Sequence, residues 1–309
     1  MTADSRAVGA TEELDLPEMG QWALVWRRFS RHRLAYLGLI VLVFFVVLSF
    51  GAPWLAPYPY DKINMNDNYS LPSAKYFLGT DELGRDIFSR LLYAGRISIS
   101  VALVSTLLSS LVGIIVGAAA AYWRGVTDMI LMRLTDVMLS MPTLPLLLVF
   151  SKMLREYPTL KDTFGDYLSV FVLVTILTLF GWMYPARLVY SSVLSLRETE
   201  FTEAARALGS SGWRILFSHL IPNSMAPVIV ISTLGFGQRV VLEATLSFLG
   251  LGVNPPVPSW GNMLSQAYAY MLRNPWLAVY PGLFIFFTVL AINFLGDALR
   301  DALDPRLKV

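Results

Sequence analysis

Long apolar runs without charge constrain the fold of this chain more than any other feature. A helix needs about 20 mostly apolar residues to cross the hydrocarbon core of a bilayer, because every backbone N–H and C=O must be satisfied within the span. Five runs in the 309-residue sequence reach that length without Asp, Glu, Lys or Arg. They are residues 34–60, 97–123, 167–186, 220–238 and 274–296.

A sixth apolar run, residues 137–151, is shorter than the others. It reaches spanning length if its helix begins near Met129, with Arg133 and Asp136 at the wet end as interfacial anchors. The sequence therefore predicts an all-α polytopic membrane protein with six transmembrane helices.

The composition excludes several classes of protein. Charged residues make up 15% of the chain, whereas a soluble domain carries about 25%. The net charge is only +2 and the basic residues are scattered, so nucleic acid is not an expected partner. The chain has no cysteine, and its only histidines are His32 and His219. We therefore expect no thiol chemistry and no metal site built from cysteine or several histidines.

Basic residues give the predicted orientation. Arg27, Arg28, Arg31 and Arg33 precede the first run, so the positive-inside rule puts the N-terminus in the cytosol, and six spans return the C-terminus there. Several basic residues of the predicted outer loops oppose this assignment. They are Lys62, Lys75, Arg85, Arg90, Arg96, Lys152, Arg155 and Lys161. The length of the first run and its acidic N-terminal flank argue against a cleaved signal peptide.

The predicted organisation has five parts. Residues 1–33 form a cytosolic segment in which Trp22, Trp26 and Phe29 favour an interfacial helix, either a plain anchor or a regulatory switch. The other parts are a first transmembrane helix at 34–56, an extracytoplasmic segment at 57–96, a five-helix core at 97–297 with a cytosolic loop at 190–222, and a cytosolic tail at 298–309.

The long cytosolic loop predicts two short helices. Residues 197–208 are expected to form a helix that stops at Gly209, where a residue without Cβ can adopt a positive φ. Ser210 or Ser211 would then cap a second helix. Ala204 and Ala205 give the first helix a face of low bulk that a partner's groove can approach closely, and Glu203 supplies a charge beside it.

Residues 203–209, with Pro222 after them, resemble the coupling loop of ABC importer permeases. The sequence departs from the general pattern at His219 and Ile221, where isoleucine and leucine are usual. Residues 246–261 and 293–305 resemble the peptide/nickel class of these permeases specifically. So does the segment GTDELGRD, which is typical of the second-permease type in that class. Its motif residues are Gly79, Thr80, Asp81, Gly84, Arg85 and Asp86.

The resemblance implies a type I ABC importer permease in the bacterial cytoplasmic membrane. Such a chain forms the channel of a binding-protein-dependent importer, most often for di- or oligopeptides, and otherwise for nickel chelates, glutathione or oligosaccharides. Implied partners are a second homologous permease, two ATP-binding cassette subunits docked at residues 197–222, and an extracytoplasmic substrate-binding protein. No lysine follows a glycine as a phosphate-binding loop requires. ATP and Mg²⁺ are therefore expected in the partner subunits, and this chain is expected to be non-catalytic.

Four residues are candidates for the translocation pathway or its gate. Arg239 and Glu243 lie four residues apart near the end of the fifth run, and intramembrane charges usually face a cavity. Their spacing allows them to pair, so a structural salt bridge is as plausible as a gating role. Pro142 and Pro145 are expected to bend the third span beside the pathway.

Other functions fit the sequence less well. A secondary transporter needs a midplane ion site and normally inverted repeats, and the sequence indicates neither. An intramembrane serine protease would require Ser210 or Ser211 and His219 at membrane depth, whereas they lie in the predicted cytosolic loop. The H-E-x-x-H pattern of a metalloprotease is missing from the sequence.

Overall fold

The computed structural model describes residues 26–30 and 32–303. Trp22, Arg31 and residues 304–309, all of which enter the predictions above, lie outside this part. The main helices are α1 (Arg33–Phe50), α2 (Ile87–Trp123), α3 (Gly125–Ser140), α4 (Thr143–Arg155), α5 (Leu168–Leu179), α6 (Met183–Leu196), α7 (Glu200–Ala207), α8 (Met225–Phe248), α9 (Trp260–Tyr268) and α10 (Trp276–Leu303). Shorter helical pieces include Ala52–Leu55, Pro158–Phe164 and Gly212–Ile215.

The described helices provide five or six membrane spans. Helices α1, α2, α8 and α10 and the continuous stretch Pro158–Leu196, which contains α5 and α6, are each long and apolar enough to cross a bilayer. Helices α3 and α4 pass the same test only together, and they are bent by 96° at their junction. If the bent pair is counted as one span, the total is six spans, the number that the apolar runs predict.

The bend between α3 and α4 has a local cause. Met141 has φ −84° and ψ 143°, an extended conformation, which is the one a residue before proline prefers. Pro142 lacks a backbone N–H, so α3 cannot continue through it. The predicted bend at Pro142 is therefore confirmed, and Pro145 lies within the first turn of α4.

Several helix bounds differ from the apolar runs, and in three helices the reason is that charged residues lie inside the helix. Helix α2 begins at Ile87 and not at residue 97, so it contains Arg90 and Arg96. Helix α8 covers Met225–Phe248 and not 220–238, and it contains Arg239 and Glu243. Helix α1 ends at Phe50, before the predicted end of the first span. Helix α10 continues to Leu303, so the predicted tail at 298–309 begins inside a helix.

Helix α2 packs along α6 through two glycines. A Cβ on Gly113 would lie 2.6 Å from Cβ of Pro185, and a Cβ on Gly117 would lie 2.2 Å from the carbonyl oxygen of Ala186. Because neither glycine has a side chain, the two backbones approach closely, as is common between membrane helices. This contact joins the end of α2 to the elements that follow α6.

Helix α9 packs against α2, α8 and α10. Its first residue, Trp260, is fully buried, and the indole N–H donates to the carbonyl oxygen of Leu91 in α2 at 3.2 Å. Ser259 and Asn262 form a capping box at the start of α9. The core around Trp260 includes Ile99, Val240 and Ile292, so α2, α8 and α10 meet there.

Candidate coupling hairpin and translocation cavity

The predicted coupling loop is a helical hairpin, residues 200–223. Its first helix, α7, begins at Glu200 and not at residue 197, because the carbonyl of Leu196 accepts hydrogen bonds from the hydroxyls of Thr199 (2.6 Å) and Thr202 (2.9 Å). Arg197 instead donates to the carbonyl of Tyr122 at the end of α2, at 2.8 Å. The base of the helical hairpin is therefore fixed to two long helices.

Gly209 ends α7 as predicted. Its φ is +77°, and no atom lies within 4 Å of the position that a Cβ would occupy. The turn is closed by the backbone N–H of Ser210, which donates to the carbonyl of Ala205 at 3.1 Å. Of the two predicted caps, Ser211 is the one used, since its hydroxyl accepts the N–H of Arg214 at 3.4 Å. Pro222 lies exposed near the end of the second half.

One side of the helical hairpin is exposed and apolar. Glu203 and Ala204 face outward as predicted, whereas Ala205 is half-buried. Sequence reasoning missed Leu208, whose side chain is 87% exposed, and Trp213, which stacks on Phe217 with ring centroids 5.7 Å apart. The sequence signal that could have identified these residues is the presence of large apolar side chains in an otherwise polar loop. Contiguous exposed apolar surface usually marks a protein contact.

The opposite side of the helical hairpin is packed on the helix bundle. Ile215, Leu216 and Leu220 are buried in one cluster with Ala118 and Ala121 of α2 and with Val189 and Val193 of α6. A force applied to the exposed side is therefore transmitted to α2 and α6 through close-packed side chains.

A cavity of about 320 Å³ lies beside the bend between α3 and α4. It is bordered by Leu139 and Thr143 at that bend, by Gly181 and Tyr184, and by residues of α8 that include Arg239. Of the four predicted pathway residues, Arg239 lines this cavity, and Pro142 directly precedes the lining residue Thr143. That the cavity belongs to the pathway stays a prediction.

Arg239 is about nine-tenths buried, with a relative exposure of 9%. Its guanidinium donates to the carbonyl of Gly235 at 3.3 Å and to the carbonyl of Gly181 at 3.2 Å. The Gly181 carbonyl can accept this hydrogen bond because the helix is interrupted between α5 and α6 at residues 180–182. The guanidinium therefore reaches back along α8 and across to the α5–α6 break.

Glu243 does not pair with Arg239. The carboxylate is fully buried and accepts the hydroxyl hydrogen of Ser247 at 2.7 Å, in the opposite direction along α8. Ser247 also accepts the backbone N–H of Val253 at 2.8 Å. Glu243 thus supports the turn that follows α8 and does not border the cavity. The predicted alternative of a salt bridge between Arg239 and Glu243 is therefore wrong for the described residues.

The GTDELGRD segment forms part of a compact corner, residues 64–90, which we call the motif corner. Asp81 accepts the backbone N–H groups of Leu83 (3.0 Å) and Arg85 (2.9 Å) and forms an ion pair with Nε of Arg85 at 2.7 Å. Nε of Arg90 lies 3.6 Å from the same carboxylate. All three charged side chains are buried.

The remaining motif residues shape the motif corner. Asp86 caps α2 by accepting the N–H of Ser89 at 2.8 Å. Thr80 accepts the N–H of Ser70 at 2.8 Å and donates to the carbonyl of Asp67. Gly84 has a φ of +68°, and a Cβ there would lie 1.8 Å from the carbonyl oxygen of Asn64. Gly79 also has a positive φ, of +81°. Thr80, Asp81, Arg85 and Asp86 of this segment therefore each form hydrogen bonds within the chain.

The comparisons with known proteins cover nearly the whole chain. Residues 109–309 match the family described as binding-protein-dependent transport system inner membrane component. Residues 20–72 match the N-terminal transmembrane domain of oligopeptide transport permease C.

Relatives over almost the full length include three permeases. A dipeptide transport system permease of Alkalihalophilus pseudofirmus is 38% identical over 93% of this chain and 90% of its own length. A glutathione transport system permease of Pectobacterium atrosepticum is 38% identical over 93% and 92%. An oligopeptide transport system permease of Bacillus subtilis is 34% identical over 97% and 94%.

Both the family matches and the apolar helices indicate a membrane-spanning transport protein. The family consists of membrane channel components, not catalytic subunits, and its members work with ATP-hydrolysing and substrate-binding partners. The chain is a multi-pass permease subunit of a bacterial inner-membrane ABC importer and belongs to the binding-protein-dependent transport family.

Proposed function

We propose that this chain forms, with a second similar permease, the pathway by which di- or oligopeptides enter the cytosol. In this proposal an extracytoplasmic binding protein delivers the peptide, and two ATP-binding cassette subunits dock at residues 197–222. ATP and Mg²⁺ belong to those subunits, and this chain converts their movement into alternating access. The names of two relatives, a dipeptide and an oligopeptide permease, support the cargo.

The observation that carries the docking site is the two-sided helical hairpin. Leu208, Trp213 and Phe217 are exposed, whereas Ile215 and Leu220 are buried against α2 and α6. A partner groove that covers the exposed side would remove apolar surface from water, which stabilises the contact. Because the buried side is packed on two long helices, partner closure would tilt those helices as rigid bodies.

Glutathione is a second candidate cargo, since the glutathione permease is as similar to this chain as the dipeptide permease, at 38% identity each. Glutathione is itself a tripeptide with free carboxylates, so a pathway suited to short peptides shares its chemistry. The names of these three relatives mention neither nickel chelates nor oligosaccharides, so neither is proposed as cargo.

The test strains the turn of the helical hairpin without adding a clash. We expect Gly209→Val to disturb it, because a β-branched residue is disfavoured at a φ of +77°. Gly209→Asn should be tolerated, since asparagine adopts this conformation more readily. Gly165→Val is a matched control, because Gly165 has a φ of +51° and open space around it too.

The assay uses the complete importer in vesicles, with the binding protein and radiolabelled trialanine. Gly209→Val should lose uptake and binding-protein-stimulated ATP hydrolysis while the complex still assembles, and Gly165→Val should retain both. Uptake that persists in Gly209→Val without stimulated ATP hydrolysis would instead indicate an ion-coupled carrier. If wild type takes up glutathione and not trialanine, the second cargo replaces the first.

A further inference from the structure

The cavity beside the α3–α4 bend has one charged side chain in its wall, Arg239. Its guanidinium makes two hydrogen bonds, both to neutral carbonyl oxygens, and its buried Nε has no hydrogen-bond partner. A guanidinium carries five N–H donors. The two hydrogen bonds use two of these five donors, so a ligand in the cavity would lie beside a guanidinium with donors to spare.

No carboxylate of the described residues neutralises this guanidinium. The ion pairs among residues 26–30 and 32–303 do not include Arg239, and Glu243 bonds to Ser247 instead. A charged side chain within a membrane span is costly and usually pairs or borders a water-filled pathway. An anion from outside the chain would supply the missing charge.

Two glycines make room for the guanidinium. A Cβ on Gly181 would lie 2.4 Å from one Nη atom, and a Cβ on Gly235 would lie 2.9 Å from the other. The same two residues supply the carbonyl groups that hold the guanidinium in place. The side chain is therefore seated in a cradle of backbone atoms, and its position is defined before any ligand binds.

The rest of the cavity wall is mostly neutral. Ser110 and Ser232 share a hydrogen bond of 2.7 Å, and they line the cavity together with apolar side chains such as Leu139, Leu177 and Ile231. Thr143, Tyr184 and Gln238 add neutral polar side chains to this wall, and Arg239 is its one charged residue among those that the structure describes. Such a wall suits a ligand whose constant feature is one carboxylate and whose other groups vary.

We propose that Arg239 is an anion subsite of the translocation cavity and binds the C-terminal carboxylate of the transported peptide. This inference rests on the proposed function. A main-chain carboxylate is common to all unmodified peptides, so one arginine can hold cargo of different sequence in the same register. The binding protein would choose the peptide, and Arg239 would hold it by its constant end during passage.

The test compares trialanine with trialanine amide, which lacks the carboxylate and is otherwise the same. Both are presented on binding protein that is fully loaded, so that transport and not capture is measured in the reconstituted importer. Wild type should transport the free acid about tenfold faster, the size of one charge-assisted hydrogen bond. Arg239→Gln should bring this ratio close to one, and Arg239→Lys should keep part of it.

Two glycine variants keep the test informative if Arg239→Gln fails to fold. Gly235→Ala would push on the guanidinium and on no other neighbour within 4 Å, and alanine is favourable in a helix. It should lower the acid-to-amide ratio by several-fold. Gly237→Ala on the same helix would make only ordinary contacts, at 3.4 Å or more, and should leave the ratio unchanged.

Distinct outcomes separate the possible failures. If wild type transports neither trialanine nor its amide, the peptide function fails. If wild type transports both at equal rates, or Arg239→Gln and Gly235→Ala keep the wild-type ratio, the anion subsite is refuted. If Arg239→Gln releases the second permease from the purified complex, the counterion is a partner carboxylate and the proposal is overturned.

Discussion

The motif corner buries its charged side chains against one another, whereas the helical hairpin exposes its apolar ones. Asp81, Arg85 and Arg90 are each less than a tenth exposed and are bound within the chain. Leu208 and Trp213 are 87% and 59% exposed. Both regions carry sequence motifs that resemble ABC importer permeases, so such a resemblance does not show whether a motif shapes the chain or contacts a partner.

The difference distinguishes a region that stabilises the fold of this chain from a region that binds a partner. Asp81, Arg85 and Arg90 of the motif corner pair with one another, so a change there should reduce the stability of the chain and affect transport as a consequence. Leu208, on the exposed side of the helical hairpin, contributes little to the fold of this chain by itself, because its side chain is 87% exposed. A change there should affect partner binding and leave the chain folded.

The largest effect is expected for Asp81→Asn. The substitution removes the carboxylate between Arg85 and Arg90, which lie 2.7 and 3.6 Å away. The buried guanidinium of Arg90 would then have no ion pair among the described residues, and that of Arg85 would keep only Glu82, which costs about 3 kcal/mol of stability. The thermal-unfolding midpoint of the purified importer should fall by several degrees.

Glu82→Gln is the control for Asp81→Asn. Glu82 meets Arg85 at 3.3 Å and its side chain is 25% exposed, so the loss should stay below about 1 kcal/mol. If Asp81→Asn keeps the wild-type midpoint and loses transport only, the motif corner acts through a partner, and the contrast with the helical hairpin disappears.

Leu208→Ala should change the stability of the chain less than Asp81→Asn does, and it should mainly weaken docking of the ATPase subunits. Since Leu208 is exposed in this chain, its loss should change the free energy of unfolding by no more than about 0.5 kcal/mol. In a partner groove the same side chain would be buried, and its truncation should weaken docking of the ATPase subunits about tenfold. Leu272→Ala is the matched control, because Leu272 is also fully exposed. Equal ATPase binding by both variants would contradict the docking site.

The sequence predicts the spans well because a bilayer imposes a simple rule on them. Uninterrupted apolar runs located α1, α2, α8, α10 and the stretch that contains α5 and α6. The end of α7 at Gly209 was also predictable, since a helix stop depends on local backbone preference. These features are determined by neighbouring residues.

Features that depend on distant partners were not predictable. Arg90 is buried inside α2, where Gln266, 176 residues away, accepts its hydrogen bond at 3.1 Å. The spacing of Arg239 and Glu243 gave their proximity on α8 but not the directions of their side chains. Those directions are set by Gly181 and Ser247, and only the fold brings Gly181 to Arg239.

The smallest effect is expected at the exposed edge of the motif corner, where Asp67 accepts hydrogen bonds from Lys75 Nζ at 2.6 Å and from the Tyr76 hydroxyl at 2.9 Å. The bond from Lys75, and then that from Tyr76, hold the pKa of Asp67 below its ordinary value of 3.8. The bond to Asp67 raises the pKa of Lys75 above 10.5. Because the pKa of Asp67 is depressed by folding, its contribution to stability is present above pH 3.8 and is lost as the pH falls through the folded value.

The pH dependence of Asp67→Asn therefore tests whether this edge is held by charge. The small difference in thermal midpoint between wild type and Asp67→Asn should stay constant from pH 5 to 9 and shrink only below 3.8. It should also shrink at high salt, since an exposed pair is screened. A difference that persists below the folded pKa would mean that Asp67 acts through its shape as an acceptor, and the motif corner would then depend on buried charge at Asp81 alone.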